Sequence, residues 1–384
     1  MENTGSIWWR ALYALCLLLL PCRTTSRTSK KPDSGFPVEW RQHVHLVSGR
    51  KSLSVMRRLA TRPSVGLWVV ENGVARCLTG ACTPDWHWEV WATDILPEAA
   101  QRASLNRAVY FLLHGWDEPL SPYPPGCLDN STEVWFKHVL ENPHGVLEMR
   151  DASQAVILSP AIINGCHREI LFPYGEEVQG EDERAQSDNI THIPWQSRRD
   201  VLGWRGSGTG NGGAENHRLR TVQRILADMP DADVYFHENL VGNFNTSLVK
   251  SRIPFSHFAQ YKYVLDLGGN SYSRRLPRLG QLNATLVLFH AYSDLATLAL
   301  RPHVDYIPVR SAESIAPVVR ILRSRGTYAR WLSRNARSRL RKTLSPLNLQ
   351  RYTRFVLEHL DQSCTFDEDG ATRPDVTQSS EANH

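Results

Sequence analysis

The chain has 384 residues, 41% of them hydrophobic and 22% charged, with a formal charge of +5 and a pI near 8.8. This is globular composition, with length enough for two domains and sizeable cores. The basic excess is mild and dispersed, and Arg330–Arg341 reads as the solvated face of a helix, so no nucleic-acid partner is expected.

From the N-terminus, Ala11–Leu20 is an unbroken apolar run of ten residues, followed by Pro21 and the polar stretch Arg23–Lys31. A bilayer-crossing helix needs about 20 apolar residues. Residues 1–26 therefore read as a signal peptide or a short signal anchor, and 27–36 as a linker. A membrane contact follows only if that segment stays uncleaved. Asn130, Asn189 and Asn245 are glycosylation candidates; the sequon at Asn283 sits in the apolar stretch Leu282–Phe289. Beyond the leader, Cys77 and Cys82 are close enough to close a small disulfide loop. Cys127, Cys166 and Cys364 leave room for a second bridge and one unpaired thiol. These features place the chain in the secretory pathway, in the endoplasmic reticulum lumen or the Golgi. No Cys/His cluster has metal-site spacing, so no structural zinc is expected.

Apolar positions Val44, Val47, Val55 and Leu59 predict a helix over 38–62. Leu67–Val70, Ala108–Leu113, Gly145–Met149 and Ala155–Leu158 read as strands, residues 117–130 as a proline-rich loop, and Glu176–Asp188 as a solvated loop. From Val201 the pattern becomes regular. Strands are predicted at Val201–Trp204, Asp233–Phe236, Tyr263–Leu267, Leu286–Phe289 and Tyr306–Val309. Helices are predicted after the glycine-rich turn up to Met229, over Ser314–Arg323, Tyr328–Leu344 and Asn348–Asp361. This alternation argues for parallel α/β architecture.

Three segments carry candidate chemistry. The glycine-rich run 204–213 lies between a strand and a helix, where backbone N–H groups and the helix start can face a phosphate. Ser207 and Thr209 add donors, and Arg218 or Arg220 can pair with a diphosphate. Residues 208–213 also satisfy Gly-x-Gly-x-x-Gly, which leaves a dinucleotide site open as an alternative; no P-loop lysine follows. The segment 261–275 runs from a strand into a polar turn with Arg274 and Arg275, at the strand edge where open α/β sheets bind ligands. Asp151, after an expected strand, can act as a general base or simply as a cap or salt-bridge partner. Asp231-Ala232-Asp233 precedes its strand and reads as a turn rather than a metal signature, and Trp86-His87-Trp88 can stack on a sugar or pack.

Together these segments resemble glycosyltransferase family 90, the capsule-associated xylosyltransferase and Rumi-like protein O-glucosyltransferase family. The matching residues are Trp204–Gly210, Tyr261–Arg275, Thr285–Val287, His303 with Tyr306–Val309, and Arg150-Asp151. The resemblance implies a GT-B-like α/β fold, two Rossmann-like domains facing across a cleft. Residues 37–195 would form the acceptor-side domain and 196–345 the nucleotide-sugar domain, followed by a C-terminal helix at 346–363 and a disordered tail at 364–384. It implies UDP-glucose or UDP-xylose as co-substrate, inversion, a protein or glycan acceptor, no tightly bound cofactor and no required divalent metal. Asp151 matches the catalytic carboxylate. Arg205, Gly206, Ser207, Thr209, Arg218, Arg220, Asn270, Ser271, Tyr272, Ser273, Arg274 and Arg275 match donor-binding positions. The chain ends Glu-Ala-Asn-His rather than in a reticulum-retention tetrapeptide, and its first half lacks the cysteine pattern of members that modify epidermal-growth-factor repeats. A glycan-binding pseudoenzyme of the same fold and a dinucleotide-dependent oxidoreductase are the competing classes.

Overall fold

A computed structural model describes residues 36–82, 91–123, 126–141, 147–163, 166–173, 193–209, 216–238 and 246–367. The chain divides into Met1–Ser34, outside the described residues together with the expected leader, and Gly35–His384, which holds the described elements.

The first half is built on a mixed sheet. Strand β1 (Gly49–Ser52) stands apart, and the sheet proper contains β2 (Val65–Glu71), β3 (Val74–Gly80), β4 (Val109–His114), β5 (Ile157–Ser159) and β6 (Ile170–Leu171), in the order β3-β2-β4-β5-β6. Strands β2 and β3 form an antiparallel hairpin through Asn72-Gly73, both at positive φ, as a two-residue primed turn requires. The pairs β4–β5 and β5–β6 are parallel.

The second half is a parallel sheet of β7 (Arg199–Ser207), β8 (Asp233–Glu238), β9 (Tyr261–Leu267), β10 (Thr285–Phe289) and β11 (Ile307–Pro308). Its order is β11-β10-β9-β7-β8. Strands β9 and β10 are almost wholly buried, as expected of strands covered on both faces. The direction of winding reverses between β7 and β9. In such sheets the crevice outside the carboxyl ends of the strands at the reversal is where ligands bind. Topology alone thus singles out the backbone just after Ser207 and Leu267. Both halves are α/β, an arrangement compatible with the expected GT-B-like fold.

The helix Pro346–Ser363 starts on a Ser345 cap, whose side chain accepts from Asn348 N–H, with proline in its first turn. It returns to the first half: Tyr352 Oη donates to Leu171 O at 2.8 Å, and Trp91 Nε1 donates to Thr353 Oγ1 at 3.1 Å. Strand β12 (Cys364–Asp367) then pairs in parallel with β1. The expected tail is thus ordered over 364–367, because β1 offers it an edge; residues 368–384 lie outside the described residues.

Two further expectations change. The single helix over 38–62 is broken: helices span Val38–Val44 and Leu53–Leu59, with β1 between them. Gly49 takes φ +85°, β1 is held by β12, and Ser52 caps the second helix through Val55 N–H. The expected strand over 145–149 is absent over its described part. Leu147 N–H donates to Leu120 O at 2.7 Å, burying the apolar residue under a loop, and a helix follows at Met149–Ser153. The loops around 86–88, 176–188 and 210–213 lie outside the described residues.

Disulfides join Cys77 to Cys82 and Cys127 to Cys166, and Cys364 is a buried free thiol. Asn130 is exposed at the start of the helix Asn130–Glu141, and Asn283 is half-buried with its Oδ1 accepting from Ser333 Oγ at 3.4 Å. Asn189 and Asn245 lie outside the described residues. Among the described residues no helix is long and apolar enough to cross a membrane.

Candidate active site

The site forms at the winding reversal. Strand β7 ends in Trp204-Arg205-Gly206-Ser207, with Trp204 fully buried edge-on to Phe236. A Cβ on Gly206 would stand 2.3 Å from the Trp204 ring, so only glycine lets the strand end lie against that indole. The helix His217–Asp228 follows, capped by Asn216, whose side chain accepts from Arg218 N and Leu219 N at 2.9 and 3.1 Å.

Arg218 is buried and spans the two strand ends. Its Nε donates to Gly268 O, Nη1 to Ser207 O and Thr209 Oγ1, and Nη2 to Leu267 O, at 2.5–3.0 Å. Burial, and then the charge of Arg275, push its pKa down to about 9. The cation is therefore held by carbonyl dipoles in a place that disfavours charge, which an arriving anion would relieve.

The turn after β9 is fixed from below by Asp266, which is fully buried. Ser273 Oγ donates to it, His290 Nε2 stands at 3.0 Å and Arg275 Nη2 at 3.7 Å. Burial alone would raise the Asp266 pKa, but His290, Arg275 and Ser273 outweigh it and hold the group below its ordinary value. Arg275 donates to Arg205 O, and its guanidinium and that of Arg218 both lie within 6 Å of the Trp204 ring centre.

These residues enclose a cavity of about 340 Å³. Gly206, Ser207, Thr209, Arg218, Asn270, Tyr272, Ser273, Arg274 and Arg275 line it as expected from the sequence. Three expected donor residues do not. Arg205 ties β7 to β8, donating to Asp233 O and to its carboxylate at 2.9 and 2.5 Å. Arg220 stacks on Trp135 at 4.6 Å and donates to Trp135 O at 3.0 Å. Ser271 donates to Asp117 O at 2.6 Å. Asp233 starts β8 and holds Arg205 and Tyr261, in keeping with a turn rather than a metal signature.

The carboxylate on this cavity is Asp117, not Asp151. Asp117 lies three residues past β4, lines the cavity, and its carboxylate pairs with Arg274. Asp151 sits within the short helix Met149–Ser153, almost buried, and accepts from Arg58 at 2.8 Å. It does not line this cavity. His237, one residue past the predicted Asp233–Phe236 strand, also lines the cavity, with Nε2 3.4 Å from Ser207 Oγ. Of the two missed residues, His237 directly follows a predicted strand and strand-end logic would have found it, whereas Asp117 lay in a segment read as a proline-rich loop.

The cavity thus combines cations, hydroxyls and open backbone from the parallel sheet with one carboxylate from the other half. It can hold a phosphorylated ligand and present a base to it. Among the described residues no group of three or more His, Cys, Asp or Glu side chains is placed to hold a metal ion.

Residues 180–369 match the model of glycosyl transferase family 90. Among solved structures, Anabaena Alr3699/HepE in complex with UDP-glucose is similar at 10% identity, over 63% of this chain and 70% of that chain, with a TM-score of 0.37. No curated protein matches.

Proposed function

We propose that the chain, whose residues 180–369 match the model of glycosyl transferase family 90, is a glycosyltransferase that moves glucose or xylose from a UDP-sugar to a hydroxyl of a protein or glycan acceptor in the secretory pathway. The observation that carries this reading is the convergence of Arg218, Arg274 and Arg275 on one cavity at the winding reversal, with Asp117 facing them from the first half. Two disulfides support an oxidising compartment.

In this reading the diphosphate lies against Arg218, Arg275 and Ser207. Asp117 takes the acceptor hydroxyl's proton as the new C–O bond forms and the bond from the anomeric carbon to the phosphate oxygen breaks in line. Inversion follows, and UDP leaves. A positioned base contributes about 10²–10⁴-fold, and each preorganised donor to the developing phosphate charge about 3–4 kcal/mol. Arg274 pairs with the Asp117 carboxylate and holds it at the cavity wall. With these cations at the diphosphate, no divalent metal is required and no cofactor stays bound.

Calorimetric titration of the purified chain with UDP, UDP-glucose, UDP-xylose and NADP tests this. Binding of UDP and at least one UDP-sugar is expected; NADP binding without UDP binding would establish the dinucleotide reading instead. UDP-sugar binding without turnover of any acceptor would mark a glycan-binding pseudoenzyme.

A further inference from the structure

A second cavity, of about 440 Å³, opens in the first half between β1, the helix Met149–Ser153 and β5. Like the site described above, it is basic. Lys51 and Arg168 line it, and Arg50 stands at its edge, already paired with Asp367. Lys51 is 7% exposed, and its ammonium spends one hydrogen bond on Ser153 O at 3.0 Å. Among the described residues no carboxylate pairs with Lys51 or Arg168. Glu169 also reaches the cavity; its Oε1 accepts from Ser121 N–H and Oγ, and its Oε2 stands 3.8 Å from His114 Nε2. A buried ammonium with unspent donors beside a second cation is costly unless an anion joins it. The Lys51 pKa is lowered, by burial first, in keeping with that geometry.

The cavity is tied to the site through one loop, although no residue lines both. Ser121 and Pro122 line it, four and five residues after Asp117. A chain segment of four residues spans at most about 14 Å, so an anion here sits a short reach from the hydroxyl that Asp117 would activate. The remaining wall mixes Ser48 and Ser153 with apolar residues, of which Leu46 and Met149 are exposed at 48% and 59%. Among the described residues, no aromatic ring lines it for a sugar to stack on.

We propose that this cavity is an acceptor subsite for an acidic polypeptide segment, whose Asp or Glu carboxylate is received by Lys51 and Arg168 while its apolar neighbours rest on Leu46 and Met149. The proposal rests on the donor reading above and specifies its acceptor.

The probe is a randomised, serine-centred peptide library bound to the full-length purified protein, with and without UDP. Asp and Glu should be enriched over Asn and Gln at fixed positions near the serine by about tenfold, the worth of one charge-assisted hydrogen bond. Arg168→Gln, at an exposed position, and Lys51→Gln should each erase the enrichment while UDP affinity is unchanged. No enrichment, or enrichment that survives Arg168→Gln, overturns the subsite. An oligogalacturonate that binds in a Lys51-dependent way when no peptide does overturns the polypeptide assignment. Failure of UDP to bind the unaltered chain would count against the donor reading alone, since the peptide preference is read without UDP as well.

Discussion

Asp117 and Arg274 meet from opposite halves of the protein, the carboxylate from the loop after β4 and the guanidinium from the turn after β9. Ser271, in the same turn, holds the Asp117 carbonyl. The turn that faces the donor therefore also sets where the base stands. Asp117→Asn is expected to lower transfer by about 10²–10⁴-fold with UDP affinity within a few fold of the original. Asp151→Asn should leave transfer near its original rate. Product formation by each variant decides; an unimpaired Asp117→Asn would remove that residue from the mechanism.

Arg218 and Arg220 separate two roles that sequence could not. Arg218→Met removes the donors for Gly268, Ser207 and Leu267 carbonyls, so UDP affinity should fall by at least about 100-fold and stability by about 2–4 kcal/mol. Arg220→Ala loses contacts to Val134 O and Trp135, away from the cavity, and should leave UDP affinity unchanged. Calorimetry on both variants, with denaturant melts, measures the contrast; equal losses of UDP affinity would contradict it.

Chelation offers a third measurement. Transfer should persist in excess EDTA, because Arg218, Arg274 and Arg275 supply the positive charge. Loss of activity restored by Mn²⁺ or Mg²⁺ would show that the arginines do not suffice.

The two disulfides should differ in worth. In the chain-entropy account, opening Cys127–Cys166, 39 residues apart, costs about 4 kcal/mol, and opening Cys77–Cys82, 5 apart, about 2 kcal/mol. Thermal melts of the paired Cys→Ser variants should preserve that order, and a larger loss from Cys77–Cys82 would reverse it.

Acid should loosen the first half. Burial lowers the His167 pKa, and its Nδ1 accepts Ile163 N–H at 3.0 Å, which a protonated ring cannot do. The unfolded chain, with an ordinary value near 6.5, binds that proton at higher pH than the folded one. Stability from this group is complete above about 6.5 and declines on acidification toward the folded value, by at most about 1.4 kcal/mol per pH unit. Melting temperatures from pH 7.5 to 5.5 should show it, and His167→Gln should flatten the slope. An unchanged slope in that variant would assign the effect elsewhere.

The parallel half was legible in sequence because strands buried on both faces read as apolar runs between turn residues, as at Tyr263–Leu267 and Leu286–Phe289. The β3 strand was not, since Val74-Ala75 and Cys77-Leu78 form neither an apolar run nor a clean alternation, and its side chains are mostly exposed. Arg218 and Arg220 lie two apart on a helix, so they face nearly opposite sides. Which one faces the cavity is fixed by Trp135, a long-range contact. Asp117 was hidden within a segment read only as a proline-rich loop. The run before Asp151 was read as a strand, but Leu147 is bonded to a loop at Leu120 and the chain continues as a helix.

The pairing of β1 with β12 joins Gly49 to Cys364 and Ser52 to Asp367. During synthesis, strand β1 leaves the ribosome long before its partner exists, and Trp40 and Trp91 wait for the Pro346–Ser363 helix to cover them. The first half is therefore the last to close. Assembly of the molecule runs against the order of translation, and a nascent chain arrested before residue 346 would expose its earliest-made core to chaperones.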